Sequence, residues 1–232
     1  MKYRVIIPAA GQGKRMKAGI NKQWIMLDDK PLIAHTLTVF QQDANCEAII
    51  LVINEKEKQD FQALIEGFSF TKVAQLVYGG AERQDSVFNG LKAVTDARPH
   101  DVILVHDGAR PFVTHDMIRR VAEKAAATGA AVLAVPIKDT LKKADGSVII
   151  ETVDRTGLWA AQTPQAFHYQ LLFDANLYAE KHHLAVTDDA SLVEMFGHAV
   201  SIVESDATNI KLTTPEDLMF ADLILKWKKG ML

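Results

Sequence analysis

The 232 residues carry a net charge of −3, with 48% apolar and 24% charged side chains. This is ordinary for a globular protein and argues against a general nucleic-acid binder. A lone cysteine, Cys46, excludes a disulfide framework and suits a reducing compartment. No apolar run approaches the ~18 residues of a membrane span, and a strand expected from Tyr3 leaves no room for a signal peptide, so a cytoplasmic chain without a membrane partner is expected.

The chain opens on Val5-Ile6-Ile7, a β-branched run that reads as a buried strand and is stopped by Pro8. Ala9, Ala10, Gly11, Gln12 and Gly13 follow, all but Gln12 small enough to let backbone N–H groups line an anion site. Lys14, Arg15, Lys17 and Lys22 then add a cationic rim, which together suits a nucleoside triphosphate. Two familiar phosphate loops do not fit. A Walker loop would need Gly where Pro8 stands and Ser or Thr where Arg15 stands. A dinucleotide loop would need a third glycine where Met16 stands, and an acidic residue about 20 positions on.

Strand-like and helix-like stretches then alternate. Pro31 opens a helix with Ile33, Leu37 and Phe40 on one face, Ala48 to Ile53 is a strand buried on both faces, and Glu55 to Gly67 is a helix with Phe61, Leu64 and Ile65 inward. Val73 to Val77 is a strand ended by Gly79-Gly80, Arg83 to Val94 a helix, and Val102 to Val105 a strand. Thr114 caps a helix that ends at Gly129, and Ala131 to Val135 is a further strand. The rhythm predicts a single α/β domain over 1–232, a Rossmann-like and mostly parallel sheet with helices on both faces. The segments Ala9–Lys22, Gly79–Ser86 and His106–Pro111 each follow a strand, so they are expected to meet at one sheet edge. Asp145-Gly146 between TLKKA and SVIIETV breaks the rhythm and predicts a β-hairpin, a projecting arm over 138–157. Helices about Leu171-Leu172 and Ala190–Phe196, a strand Val200–Val203 and a last helix opened by Thr214-Pro215 complete the chain, with Leu218, Ala221 and Leu225 inward on that helix.

The run PAAGQGKRM…NKQ resembles nucleotidyltransferases that make activated sugar and polyol phosphates. GGAERQDSV, VHDGARPF, VDRTGLWAAQTPQAF, TDDAS and TNIKLTTPEDL narrow the resemblance to the 2-C-methyl-D-erythritol 4-phosphate cytidylyltransferases of the non-mevalonate isoprenoid pathway, over essentially the whole chain. The resemblance implies CMP transfer from CTP to the polyol phosphate with release of pyrophosphate; a ribitol 5-phosphate acceptor is the alternative. It places Arg15 and Lys22 against the triphosphate as transition-state cations, and Ala9, Ala10, Gly11 and Gly13 as a backbone cradle. Gly80, Arg83 and Ser86 become the base and ribose wall, with Ser86 bonding the polar edge of cytosine. Asp107 is expected near a magnesium ion, since Mg²⁺ takes one or two carboxylates beside phosphate oxygens. The family usually has Ala where Gly108 stands. Asp107, Arg110, Thr140, Arg155, Thr163, Thr187 and Lys211 are implied on the acceptor side, where Arg155 and Lys211 would hold the attacking phosphate. A homodimer is implied through the arm, because Val148 and Ile150 would otherwise be exposed and an isolated hairpin is marginal in water. The histidines show no ligand spacing, and no protein zinc site is expected.

Overall fold

A computed structural model describes residues 1–11 and 21–231. In chain order it runs β1 (Tyr3–Pro8), a short ribbon of β2 (Met26–Leu27) and β3 (Lys30–Pro31), α1 (Leu32–Gln42), β4 (Cys46–Ile53), α2 (Lys58–Gly67), β5 (Val73–Tyr78), α3 (Arg83–Lys92) and β6 (Val102–Val105). There follow α4 (His115–Thr128), β7 (Ala130–Pro136), β8 (Leu141–Asp145), β9 (Val148–Val153), β10 (Trp159–His168), α5 (Tyr169–His182), α6 (Asp189–Met195), β11 (Ser201–Glu204) and α7 (Pro215–Lys228). Among the described residues, seven strands form one sheet in the order β11-β7-β10-β6-β1-β4-β5, parallel except for β10.

The apolar runs fill both faces because successive strand residues point to opposite sides. Val5 and Ile7 of β1, with Ile49, Leu51 and Ile53 of β4, pack against α1, α2 and α4. Ile6, Ile50 and Val52 pack against α3, α5 and α6 on the other face. A third, smaller cluster joins Leu27, Ala109, Phe112 and Leu212 to Ala221 of α7, with Leu218 and Leu225 packed beside it. The inward faces expected for α1, α2, α4 and α7 are therefore the faces that are buried.

Three local expectations change. The helix expected from Glu55 begins as a separate 3-10 turn, Glu55–Glu57, whose first N–H groups are capped by Asn54; Glu57 then leaves helical geometry before α2 starts. The hairpin turn is Gly146-Ser147 and not Asp145-Gly146: Asp145 still pairs with Val148, and Gly146 takes φ +55°, as a two-residue hairpin turn requires. Finally, β10 runs antiparallel between β6 and β7, in a stretch given no strand at sequence level. Pro164 has no N–H to give a ladder, but the register slips between Ala161 and Gln165, so it falls where no pairing is made.

Candidate active site

The carboxyl ends of β1, β5 and β6 open on one cleft of about 280 Å³. Ala10 and Gly11 reach it from the end of β1, Gly80 from the turn after β5, Arg83 and Ser86 from the first turn of α3, Asp107 from the end of β6, Lys22 from a short 3-10 turn and Lys211 from the loop before α7. Ala9 is buried behind it, its N–H donating to the Val52 carbonyl at 2.7 Å and so extending the β1–β4 ladder. Eight of the residues implied from sequence thus line one space. Gly13 and Arg15, with Lys14 and Lys17, lie outside the described residues.

The wall after β5 is built by close approach. A Cβ on Gly79 would stand 2.6 Å from the Ala10 Cβ and 2.8 Å from Ser86 Oγ, and one on Gly80 would run into the Asp85 side chain. Both positions need glycine because no side chain has room. Ser86 is buried; its Oγ accepts from the Gly80 N–H at 3.1 Å and donates to the Glu82 carbonyl at 3.1 Å. A hydroxyl has one proton. Ser86 therefore has only a lone pair left to offer a base, which narrows the role expected for it to that of an acceptor.

The centre of the site is electrostatic. Asp107 lies 2.7 Å from Lys211 Nζ, 3.3 Å from Arg83 Nε and 3.9 Å from Arg110 Nε. Burial would raise its pKa, but Arg83 and Lys211 overcome that and hold the carboxyl well below the usual range, so it is ionised. Arg83 reaches past Asp107 to the buried Asp189, 2.9 Å away. Burial pushes Asp189 up despite that contact. Arg110 also donates to the Asn209 carbonyl at 2.7 Å. Three cations on two acids leave an electropositive cleft suited to a polyanion.

Beneath Asp107 lies a buried relay. Its N–H donates to Thr163 Oγ1 at 3.0 Å, Thr163 Oγ1 is 3.2 Å from His106 Nδ1, and His106 Nε2 is 3.0 Å from the Arg110 carbonyl. The carbonyl can only accept, so Nε2 carries the hydrogen and Nδ1 takes the threonine proton. Burial lowers the His106 pKa to about 4, which keeps the ring neutral near pH 7. Thr163 is thus a buried brace under Asp107 and does not line the cleft. Its hydroxyl proton is committed, which limits the acceptor contact implied for it.

The remaining acceptor-side residues are placed differently. Thr140 and Arg155 flank the β8–β9 hairpin and Thr187 precedes α6; all three are exposed and outside the cleft lining. Asp188, beside Thr187, caps α6 by accepting from the Ser191 N–H at 2.9 Å. Among the described residues no cluster of three or more His, Cys, Asp or Glu could hold a metal ion. The site also contains residues not singled out from sequence: buried Gln23, whose amide packs over Gly108, and Asp189. A Cβ at Gly108 would come within 2.9 Å of Ile33 Cδ1 and 3.1 Å of Gln23 Nε2, so the glycine at this place makes room for that amide. Nothing in TDDAS says which adjacent acid turns inward.

The family model described as IspD, 2-C-methyl-D-erythritol 4-phosphate cytidylyltransferase, matches residues 3–227. An enzyme of that name from Bacillus velezensis is 57% identical over 231 residues, covering 99% of this chain and 98% of that protein. One from Shouchella clausii is 54% identical over 232 residues, covering all of both. The crystal structure of the Thermus thermophilus enzyme of that name superposes with a TM-score of 0.82 at 34% identity, over 97% of this chain and 100% of that one. With the match running the length of the sheet and through every loop that lines the cleft, the chain belongs to the 2-C-methyl-D-erythritol 4-phosphate cytidylyltransferase family.

Proposed function

We propose that this chain transfers CMP from CTP to 2-C-methyl-D-erythritol 4-phosphate, giving 4-diphosphocytidyl-2-C-methyl-D-erythritol and pyrophosphate. The observation that carries the reading is the pairing of Arg83 and Lys211 with Asp107 in a cleft that Lys22 also lines and that the family match spans. The relatives from Bacillus velezensis and Shouchella clausii bear the methylerythritol name, which favours that acceptor over ribitol 5-phosphate.

In this reading the triphosphate lies along Ala10 and Gly11, and the roles implied for Gly13, as a cradle residue, and Arg15, as a second triphosphate cation, rest on the sequence alone. Lys22 faces charge that grows as pyrophosphate departs, and positioning plus fixed charge supplies most of the rate. Cytosine stacks by Gly80, where Ser86 Oγ offers a lone pair to the exocyclic amino group; uracil has an oxygen at that place and would meet it lone pair to lone pair. Lys211 holds the acceptor phosphate and lies against Asp107 until that phosphate arrives. Magnesium fits this donor set only as an ion carried chiefly by triphosphate oxygens, with Asp107 as its single carboxylate, since that carboxylate already faces three cations. When bound, the ion would neutralise part of the triphosphate charge.

Thr140 and Arg155 are assigned to the neighbouring subunit's site, through a homodimer made by the arm over 138–157, with Thr187 completing the acceptor side. The exposure of Val148, Ile149 and Ile150, at 68%, 59% and 60%, supports that assignment. The arm aside, 1–232 is read as one nucleotidyltransferase domain. No described helix is long and apolar enough to cross a membrane, and a lone buried thiol agrees with a cytoplasmic setting.

Pyrophosphate release tests the reading. With 2-C-methyl-D-erythritol 4-phosphate as acceptor and Mg²⁺ present, CTP should exceed UTP and ATP at least about a hundredfold in kcat/KM, consistent with a site built to pair one polar edge. Replacing the acceptor by ribitol 5-phosphate should abolish most of the rate, and excess EDTA should abolish it altogether. Comparable turnover with UTP would refute the account of Ser86.

A further inference from the structure

Lys22 sits on a single 3-10 turn, Lys22–Trp24, and three residues have too few internal hydrogen bonds to hold a long cationic side chain's root in place. Asn21 caps the turn, accepting from the Gln23 N–H at 3.1 Å. The other end of that side chain faces a carboxylate outside every motif. Asn21 Nδ2 donates to Glu57 at 3.0 Å (Oε1) and 2.9 Å (Oε2), and Trp24 Nε1 donates to Glu57 Oε1 at 2.9 Å. The residues on either side of Lys22 are thus tied to one side chain. The Trp24 ring rests on Phe61 of α2, centroids 4.7 Å apart, which fixes the direction of its N–H.

Glu57 is itself well placed as an anchor. It ends the 3-10 turn that follows β4, its N–H donates to the Asn54 carbonyl at 3.0 Å, and β4 pairs with β1, the strand that delivers Ala10 and Gly11. Hydrogen bonds to a carboxylate are short and about twice as strong as neutral ones. We propose that Glu57 is a positioning residue for the reaction: through Asn21 and Trp24 it sets the Lys22 turn against the triphosphate cradle. This rests on the reading of Lys22 as a triphosphate-facing cation. Glu57 touches no substrate, so it acts only through where it holds that turn. A shift of about 1 Å in a catalytic group can cost on the order of a hundredfold in rate.

A double-mutant cycle on the full chain tests it, with kcat and KM for CTP measured for wild type, Glu57→Ala, Lys22→Ala and both together. Glu57→Ala should lower kcat about tenfold with KM for CTP changed less than about threefold, and should cost less than about twofold further once Lys22 is alanine. Glu57→Gln keeps an oxygen for Trp24 Nε1 but places an amide against Asn21, and should give an intermediate loss. If Glu57→Ala fails to fold, Glu57→Gln takes its place in the same cycle. A Glu57 variant with wild-type kcat, or one whose loss is undiminished in the Lys22→Ala background, would overturn the proposal. A near-wild-type Lys22→Ala would overturn the reading of Lys22 itself and the proposal with it, and that single variant tells the two failures apart.

Discussion

The cleft and the arm are made by opposite means. In the cleft the chain's own residues hold one another: Lys211, Arg83 and Arg110 face the Asp107 carboxylate, the Thr163 hydroxyl accepts from the Asp107 N–H, and Ser86 accepts from the Gly80 N–H. The β8–β9 hairpin forms its own two-stranded sheet, and its apolar residues Val148, Ile149 and Ile150 face solvent. The side-chain ties within it are of the exposed kind, such as Lys143 to Glu151 at 3.3 Å, which are worth little. Arg155 at its base is exposed, whereas Lys211 in the cleft is paired. The contrast separates a cleft pre-organised by the chain's own core from an exposed arm, which the homodimer proposed above would cover.

The largest effect comes from setting one residue of each region against the other. Lys22→Ala and Arg155→Ala should each lower kcat roughly a hundredfold or more, as loss of a transition-state contact does. If the arm serves a partner, an equal mixture unfolded and refolded together should regain about a quarter of wild-type activity, because half the dimers are mixed and each has one intact site. Activity at the parental mean, with mixed dimers verified by mass spectrometry, would return Arg155 to its own chain and end the contrast.

Next comes the cost of opening the pre-organised half. Asp107→Ala leaves Arg83, Arg110 and Lys211 facing one another, and breaking a buried ion network typically costs about 3–5 kcal/mol. Urea unfolding should register that loss, while Arg155→Ala, exposed on the arm, should change stability by no more than about 0.5 kcal/mol. Equal costs at the two positions would mean that the arm is as tightly built as the cleft.

The smallest effect is a pH dependence confined to the cleft. His106 is held at about 4 in the folded protein by burial, below its value of about 6.5 when unfolded. The unfolded chain therefore binds the extra proton first, so this residue lowers stability as pH falls from 6.5 toward 4, by up to roughly 3 kcal/mol. The Asp107 carboxyl has linkage of the same sign in a lower pH window. Its folded pKa is depressed, so its contribution is present above about pH 4 and is lost only as pH falls through the lower folded value. His106→Gln should flatten the slope of unfolding free energy between pH 6.5 and 4, and an unchanged slope would show that the ring is not kept neutral by burial.

Much of this was determined by the sequence alone. Apolar runs such as Val5–Ile7 and Ala48–Ile53, punctuated by Pro8, Gly79-Gly80 and Gly129, specify strands buried on both faces and hence the layered sheet, since no other arrangement hides them. Small residues after strands likewise put Ala10, Gly80 and Asp107 at one edge, because that is where parallel strands end. Tertiary structure decided what local pattern cannot encode. β10 is a strand because β6 and β7 offer it two ladders, despite Pro164. The hydroxyl protons of Ser86 and Thr163 are committed in hydrogen bonds to the Glu82 carbonyl and to His106 Nδ1, partners that only folding brings near in the second case. Asp189 turns inward to Arg83 and Glu57 grips the Lys22 turn across 36 positions of sequence to Asn21. A hydrogen bond has direction and needs its partner within about 3 Å, so its existence is a property of the packed chain and leaves no periodic mark on the residues that make it.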